Sequence, residues 1–305
     1  MWTCGEMKKE GWSKLSKSLW TAVLVTLVFL LISGIFSGAN GFLNSLKYRI
    51  QFSGNWESYF SNLAAASSSP KIAAINMLQN FVAFLSFFVG IFVFNPLGVG
   101  YSSWFLTNRR TDGAAAGFNL LFSSFQQGSY MGIVGGTAWR TLWTAIWEVV
   151  ASLCFIPLWG VSFAVIFSAA FAAAGSSSGT SSAMSQKEFI HSLSNIAPVY
   201  FIVFIILLLL GLAGFLAITL NRKYAYFFTS FILAENPTIG AKNALDLSKR
   251  MTYGMKGKLF VLDLSFIGWW LLTGLTCGIL SLGVMPYTYA VYTEVYISRK
   301  AEQRI

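Results

Sequence analysis

The sequence predicts an all-α polytopic membrane protein with about six transmembrane helices and interfacial amphipathic helices. Three observations predict it. Of 305 residues, 55% are apolar and only 10% are charged, against roughly 25% charged in soluble domains. Apolar runs recur at the length of about 20 residues that a helix needs to cross hydrocarbon, where every backbone group must be satisfied internally. The 21 Lys and Arg outnumber the 11 Asp and Glu and gather in alternate loops, the pattern of a positive cytoplasmic face. The same composition excludes a disordered chain, a collagen-like chain and a disulfide scaffold.

Read as one membrane domain over 1–305, the chain places its spans at about 19–35, 72–106, 138–173, 197–220, 259–278 and 279–298. The first follows Lys8, Lys9, Lys14 and Lys17 and resembles a signal peptide, with Ser37-Gly38-Ala39 as a cleavage site. Its apolar run is longer than a typical signal core, so a retained anchor is expected. The second contains Asn95-Pro96-Leu97-Gly98-Val99-Gly100. Pro96 has no N–H to offer the Phe92 carbonyl, which predicts a kink or an unwound turn.

The third span, with Pro157 near its middle, would measure about 54 Å as a straight helix, long for one crossing and short for two. Charge decides between them. One crossing puts 17 basic residues inside and only Lys47, Arg49, Lys71 and Lys187 outside, whereas a hairpin would turn the seven from Arg222 to Lys258 outward. A single crossing makes both termini and segment 221–258 cytoplasmic and leaves a Ser-rich linker, 172–196, outside. The fifth and sixth spans form a tight pair around Gly278 to Gly283.

Between the spans, Phe42, Leu43, Leu46 and Ile50 share a face and predict a short helix lying on the outer surface. Phe118, Leu121, Phe122 and Phe125 repeat the pattern inside. After Pro237, Thr238 is placed to cap a helix to about Tyr253, with Gly240, Ala244, Leu247 and Met251 on one face and Lys242, Asp246 and Lys249 on the other. That helix is expected to dock on its own bundle and the anionic inner leaflet; a cytoplasmic protein partner is the second reading.

The segments Ile232-Leu233-Ala234-Glu235-Asn236-Pro237, Leu247-Ser248-Lys249, Met255-Lys256-Gly257, Leu264-Ser265-Phe266-Ile267-Gly268-Trp269-Trp270-Leu271-Leu272 and Pro286-Tyr287, with Asn95-Pro96-Leu97 and Val99-Gly100 earlier, resemble a bacterial integral-membrane family, the domain-of-unknown-function family numbered 975. Residues from roughly 160 to 197 read as material added to that pattern. The resemblance implies a multi-pass protein of the bacterial cytoplasmic membrane and carries over no catalytic residue.

Ionisable groups within a bilayer are costly and are functional candidates by default. Glu148 lies ten residues into the third segment, in line with Arg140 and Thr144 on one helix face. Glu148, Arg140 and Asn95, beside the broken helix, form the candidate embedded polar site. Asp263 and Glu294 read as structural charges near the inner ends of spans five and six. No catalytic, metal or cofactor site is expected: His191 is the sole histidine, and Cys4, Cys154 and Cys277 lie far apart. The Gly175-Ser176-Ser177-Ser178-Gly179 stretch matches a nucleophile motif only in letters, within low-complexity sequence. Four-residue glycine spacings at Gly34/Gly38, Gly128/Gly132/Gly136 and Gly274/Gly278 permit close helix approach, in a compact bundle or a homo-oligomer. The net charge of +10 reads as orientation and anionic-lipid contact, with no nucleic-acid partner. The leading expectation is a non-enzymatic protein holding a lipidic, peptidic or other amphipathic ligand, in transport, export or membrane protection. A membrane assembly protein docking a partner through 236–258 comes second, and a lipid-modifying enzyme third.

Overall fold

The computed structural model describes residues 2–51, 70–113, 117–126, 128–163, 167 and 186–303. Among them the regular structure is entirely helical. In chain order come α1 (Cys4–Leu15), α2 (Leu19–Gln51), α3 (Pro70–Val89), α4 (Asn95–Arg110), α5 (Tyr130–Ser152), α6 (Gln186–Ala225), α7 (Thr229–Glu235), α8 (Ala241–Thr252), α9 (Lys256–Leu264), α10 (Ile267–Leu275) and α11 (Ser281–Gln303). Five stretches among the described residues are long and apolar enough to cross a membrane: Cys4–Ile35, Pro70–Arg110, Tyr130–Phe163, Pro198–Glu235 and Lys256–Leu275. The sixth expected span falls on α11, which is not among them. Its middle carries Tyr287, Thr288, Tyr289, Tyr292, Thr293 and Glu294, and much of it is buried in protein.

The chain forms two compact units, Met1–Arg140 with Ala225–Ile305, and Thr141–Tyr224. In the first, α11 is the axis. Gly11 lets α1 lie directly on it: a Cβ there would stand 2.9 Å from Val291 Cγ2. Trp12 meets Tyr287 edge to face at 5.6 Å. A Thr3–Glu6 capping box starts α1, each side chain satisfying the other residue's N–H. The buried cluster joins Leu15, Ala22 and Val25 to Leu97, Tyr101, Trp104 and Phe105, with Leu121 and Ala290. Inside it, the Thr26 and Tyr101 hydroxyls share a 2.7 Å hydrogen bond, which a buried phenol requires.

The first span is longer than its apolar core, because α2 continues to Gln51, about 50 Å for a helix of 33 residues. The surface helix expected at 41–52 is therefore, as far as Gln51, the end of α2. Its polar residues have a helical neighbour instead of a lipid surface: Lys47 donates to Asn76 at 2.9 Å and Gln79 to Asn44 at 2.7 Å, both on α3. In the second span, a π-helical turn at Gly90–Phe94 separates α3 from α4, and Asn95 N–H reaches back to the Gly90 carbonyl. Pro96 then stands in the first turn of α4, where its missing N–H costs least. The Phe92 carbonyl that Pro96 leaves without a donor accepts the Tyr130 hydroxyl at 2.8 Å. The expected break is present, and a side chain from another helix closes it.

The inner connector is a 3-10 helix, Phe118–Phe125. Its period of three separates Leu121 and Ser124, both buried, from Phe122 and Phe125, both exposed, and puts Ser123 and Gln126 on a third row. In the cytoplasm-assigned segment, α8 buries Ala244, Leu245, Ser248 and Met251 and exposes Lys242, Lys249 and Arg250. The fifth span is interrupted at Ser265-Phe266, and Cys277 and Gly278, both at positive φ, turn the chain into α11.

In the second unit, α5 passes through a 3-10 turn at Leu153–Phe155 into helical residues 156–163, and α6 packs on that turn through glycines. Added Cβ atoms would stand 2.9 Å from Phe155 at Gly211 and 3.0 Å from Cys154 Sγ at Gly214. Of the linker expected at 172–196, residues 186–196 are helical, because nothing from Gln186 to Pro198 interrupts a helix. The remainder, with the Gly175–Gly179 stretch, lies outside the described residues.

Candidate functional site

The two motif segments that lie far apart in sequence meet around one cavity. Val99 and Ser103 reach it from α4, just past the π turn, and Ala234 and Pro237 from the end of α7 and the turn after it. Ser123 and Ser124 of the 3-10 helix, Gln126 just past its end, and Ser129 and Ile133 at the start of α5 complete the wall. The cavity holds about 170 Å³. Its lining is polar and carries no charged side chain.

Glycine makes this convergence possible. At Gly100 a Cβ would lie 2.0 Å from the Leu121 carbonyl oxygen, and at Gly132 one would lie 2.3 Å from the Pro237 carbonyl oxygen. Gly136, one turn on, meets the Leu233 side chain at 2.8 Å. The Gly132/Gly136 spacing therefore serves packing of α5 on α7 within the chain. At Gly34, Gly38, Gly274 and Gly278 an added Cβ would meet nothing within 4 Å.

On the far side of α7 lies a second cavity, of about 220 Å³, lined by Ile232, Glu235, Asn236, Ile239, Leu247, Met251, Tyr296 and Lys300. Glu235 is its polar centre. Its carboxylate accepts from Lys300 Nζ at 2.6 Å, from the Tyr296 hydroxyl at 2.8 Å and from Arg110. Nearby, Arg109 pairs with the buried Glu294, and Arg299 donates to the Met251 and Tyr253 carbonyls at 2.8 and 3.0 Å. Lys14 and Lys17 both hydrogen-bond Asp112, and these two bonds hold its carboxyl down at about 2. Lys249, bonded to Asp246 at 2.9 Å, keeps that carboxyl below its ordinary range.

The sequence-selected residues fall in three places. Asn95 is partly buried at the first turn of α4, one turn before Val99. Arg140 belongs to the first unit, where its guanidinium donates to Ser230 Oγ on α7 at 2.8 Å. Glu148 belongs to the second unit, exposed on α5 and without an ion pair among the described residues. Its neighbour Trp147 carries the Arg222 guanidinium 3.5 Å above its ring. Asp263 accepts the Tyr292 hydroxyl at 2.6 Å. The serines of the cavity were not selected from sequence, since α-helical spacing puts Ser123 and Ser124 on no common wall with Ser103. The available signal was the concentration of Ser at 102–103, 123–124 and 129 around otherwise apolar stretches. Among the described residues no three His, Cys, Asp or Glu side chains are grouped as metal ligands.

The chain belongs to the family described as a protein of unknown function, DUF975, which it matches over residues 1–302. The match takes in residues 160–197, which the motifs alone had set aside as added material. No curated protein and no solved structure matches it.

Proposed function

We propose that this membrane protein holds an amphipathic, lipid-like ligand where the broken second span meets the turn after α7, and acts without catalysis in transport, export or protection of the membrane. One observation carries the reading: Val99 of the Asn95–Gly100 segment and Ala234 and Pro237 of the Ile232–Pro237 segment, far apart in sequence, line the same polar cavity. Broken helices at membrane depth commonly line such sites. Beside the cavity, Phe118, Phe122 and Phe125 stay exposed on the 3-10 helix, an apolar patch suited to acyl chains.

The proposed setting is a bacterial cytoplasmic membrane with both termini inside. The ion pairs of Lys14 and Lys17 with Asp112, and of Arg110 and Lys300 with Glu235, support it, since they join the segments that charge assigns to one face. Anionic inner-leaflet lipids are the proposed contact of Lys242, Lys249 and Arg250 on the outer face of α8. A second reading, that this face docks a cytoplasmic protein, is favoured by the same exposed charges. Glu148 is retained as a candidate ligand contact in the second unit.

The test is purification from native membrane, followed by mass spectrometry of bound lipids, peptides and proteins together. Enrichment of one amphipathic class over bulk membrane is the expected result. Recovery of bulk lipid composition with a stoichiometric protein partner would overturn the ligand reading in favour of assembly. In a deletion strain, full complementation by both Glu148→Gln and Asn95→Ala would remove those two residues from the site.

A further inference from the structure

The first unit carries an apolar projection that the serine-lined cavity does not use. No charged residue stands between Asp263 and Glu294. Within that stretch α10 and the turn after it stand clear of the rest of the protein: from Ile267 to Ile279 only Thr273 is buried. Trp269 and Trp270 are exposed near the base of α10, and Leu271, Leu272, Leu275 and Ile279 are exposed toward the turn. Tryptophan followed by aliphatic side chains is the order met on passing from a membrane interface into hydrocarbon.

The turn itself is built for a place without water. Every backbone N–H from Thr276 to Val284 has an acceptor within the hairpin. Gly278 N–H reaches the Thr273 carbonyl at 2.9 Å, and Leu280 N–H takes the Thr276 hydroxyl oxygen at 3.3 Å. The hydroxyls are committed too: Thr273 donates to the Trp269 carbonyl, Thr276 to the Thr273 carbonyl and Ser281 to the Gly278 carbonyl. A turn in water can leave such donors to solvent, whereas one in hydrocarbon must satisfy them itself.

Counted from Lys256, the fifth stretch has the length to cross a membrane. Its first part, however, lies beside charge. Lys258 stands 5.7 Å from the Trp2 ring, and Lys8 donates to the Ser265 carbonyl at 3.2 Å and lies 4.4 Å over the Phe266 ring. Thus α1, with Glu6, Lys9 and Glu10 exposed, flanks α9 and holds it out of hydrocarbon, where exposed charges are costly. Phe266 meets Tyr287 at 5.4 Å and Tyr287 meets Trp12 at 5.6 Å, which marks the base of the projection on both arms. At about 1.5 Å per helical residue, Gly278 stands about 18 Å beyond Phe266 and about 14 Å beyond Tyr287. Hydrocarbon is about 30 Å thick, so the turn ends near its middle.

We propose that residues 267–283 form a re-entrant hairpin that enters the membrane from the side of the termini, ends among the acyl chains near the midplane and returns. Its partner is the acyl region of one leaflet, and the expected fifth and sixth spans are not crossings. The termini keep a common side, since two crossings and none give the same result. The proposal does not depend on what the serine-lined cavity holds.

Cys277, exposed on the chain at the tip, reports the depth. The wild-type chain in sealed membrane vesicles of each orientation is treated with a membrane-impermeant maleimide, and modification of each cysteine is read by peptide mass spectrometry. The reagent needs a thiolate in water. Cys4, partly exposed on α1, is expected to react from the side of the termini, and Ser178→Cys, in the linker that charge assigns to the other side, from that side. Cys277 is expected to react from neither and to react once the membrane is dissolved in detergent. In a second measurement, a Cys4→Ser/Cys154→Ala variant labelled with bimane at Cys277 is reconstituted with phosphatidylcholine carrying a nitroxide near the headgroup or near the acyl-chain end. Stronger quenching by the deep nitroxide is expected. Modification of Cys277 from the side opposite the termini restores two crossings and overturns the proposal; modification from the side of the termini places the hairpin in water and overturns it as well. Stronger quenching by the shallow nitroxide contradicts the depth, and quenching by neither puts protein, such as a second copy, over the tip in place of lipid.

Discussion

Replacing Gly100 by Ala tests the packing that builds the cavity. The new methyl carbon would stand 2.0 Å from the Leu121 carbonyl oxygen and 2.8 Å from its carbon, where ordinary contact begins at 3.4 Å. Both obstructing atoms are backbone, so no side-chain rotation relieves them. The 3-10 helix must withdraw from α4 by more than an ångström, pulling Leu121 from the central cluster and Ser124 from the cavity wall. Overpacking of this kind costs typically 1–3 kcal/mol, against a helix-propensity gain of at most about 1 kcal/mol for Gly→Ala. Gly98→Ala, on the same helix with nothing within 4 Å of its Cβ position, is the control. Thermal unfolding of the two variants in detergent, followed by tryptophan fluorescence, is expected to show G100A destabilised and G98A neutral or stabilised. Equal stability of the two would refute the close approach of the 3-10 helix to α4.

Removing the Tyr130 hydroxyl with Tyr130→Phe leaves the Phe92 carbonyl without its donor and is expected to cost about 0.5–1.5 kcal/mol. Pro96→Ala restores an N–H within reach, so the cost should shrink in the double variant; strictly additive stabilities would contradict the capping role. Glu235→Gln weakens three donors' hold on a carboxylate whose side chain is 14% exposed, and a loss of about 1–3 kcal/mol is expected after allowing for solvent. A double-mutant cycle with Lys300→Met should show coupling between them. Asp112 is held low by its two lysines, so its contribution should be complete above its ordinary range near 3.8 and vanish as pH falls through about 2. The stability difference between wild type and Asp112→Asn should therefore be flat from pH 7 to pH 5 and close below pH 3.8. A difference that closes between pH 7 and pH 5 would contradict the assignment.

The broken second span was legible because proline lacks an N–H wherever it stands, so the orphaned Phe92 carbonyl could be named from Pro96 alone. The donor that closes it could not, because Tyr130 belongs to a different helix and its approach depends on tertiary packing. The same limit explains the surface helix expected at 41–52. Its apolar face was read correctly as a helix, but the partners of Asn44 and Lys47 on α3 decided that α2 would carry on. The α8 surface was legible in part: Ala244 and Met251 are buried and Lys242 and Lys249 exposed as expected, but Gly240 is exposed, Leu245 and Ser248 join the buried face, and Gly240 instead of Thr238 stands at the N-cap. Glu148 stood out by composition, yet periodicity cannot say which face of α5 turns inward. The serine cavity was hidden because its wall is assembled from separate elements, α4, the 3-10 helix, the start of α5 and the turn after α7, which no single period brings together.

The central claim is that the cavity beside the broken span holds an amphipathic, lipid-like ligand. Placing a photoreactive amino acid at Ser123, irradiating intact membranes and identifying the adduct by mass tests it most directly. The same residue at Trp20, 84% exposed on α2, reports the bulk lipid. The account predicts that position 123 captures one amphipathic class, in a distribution distinct from that captured at position 20. Identical distributions at the two positions, or no lipid adduct at position 123, would contradict it.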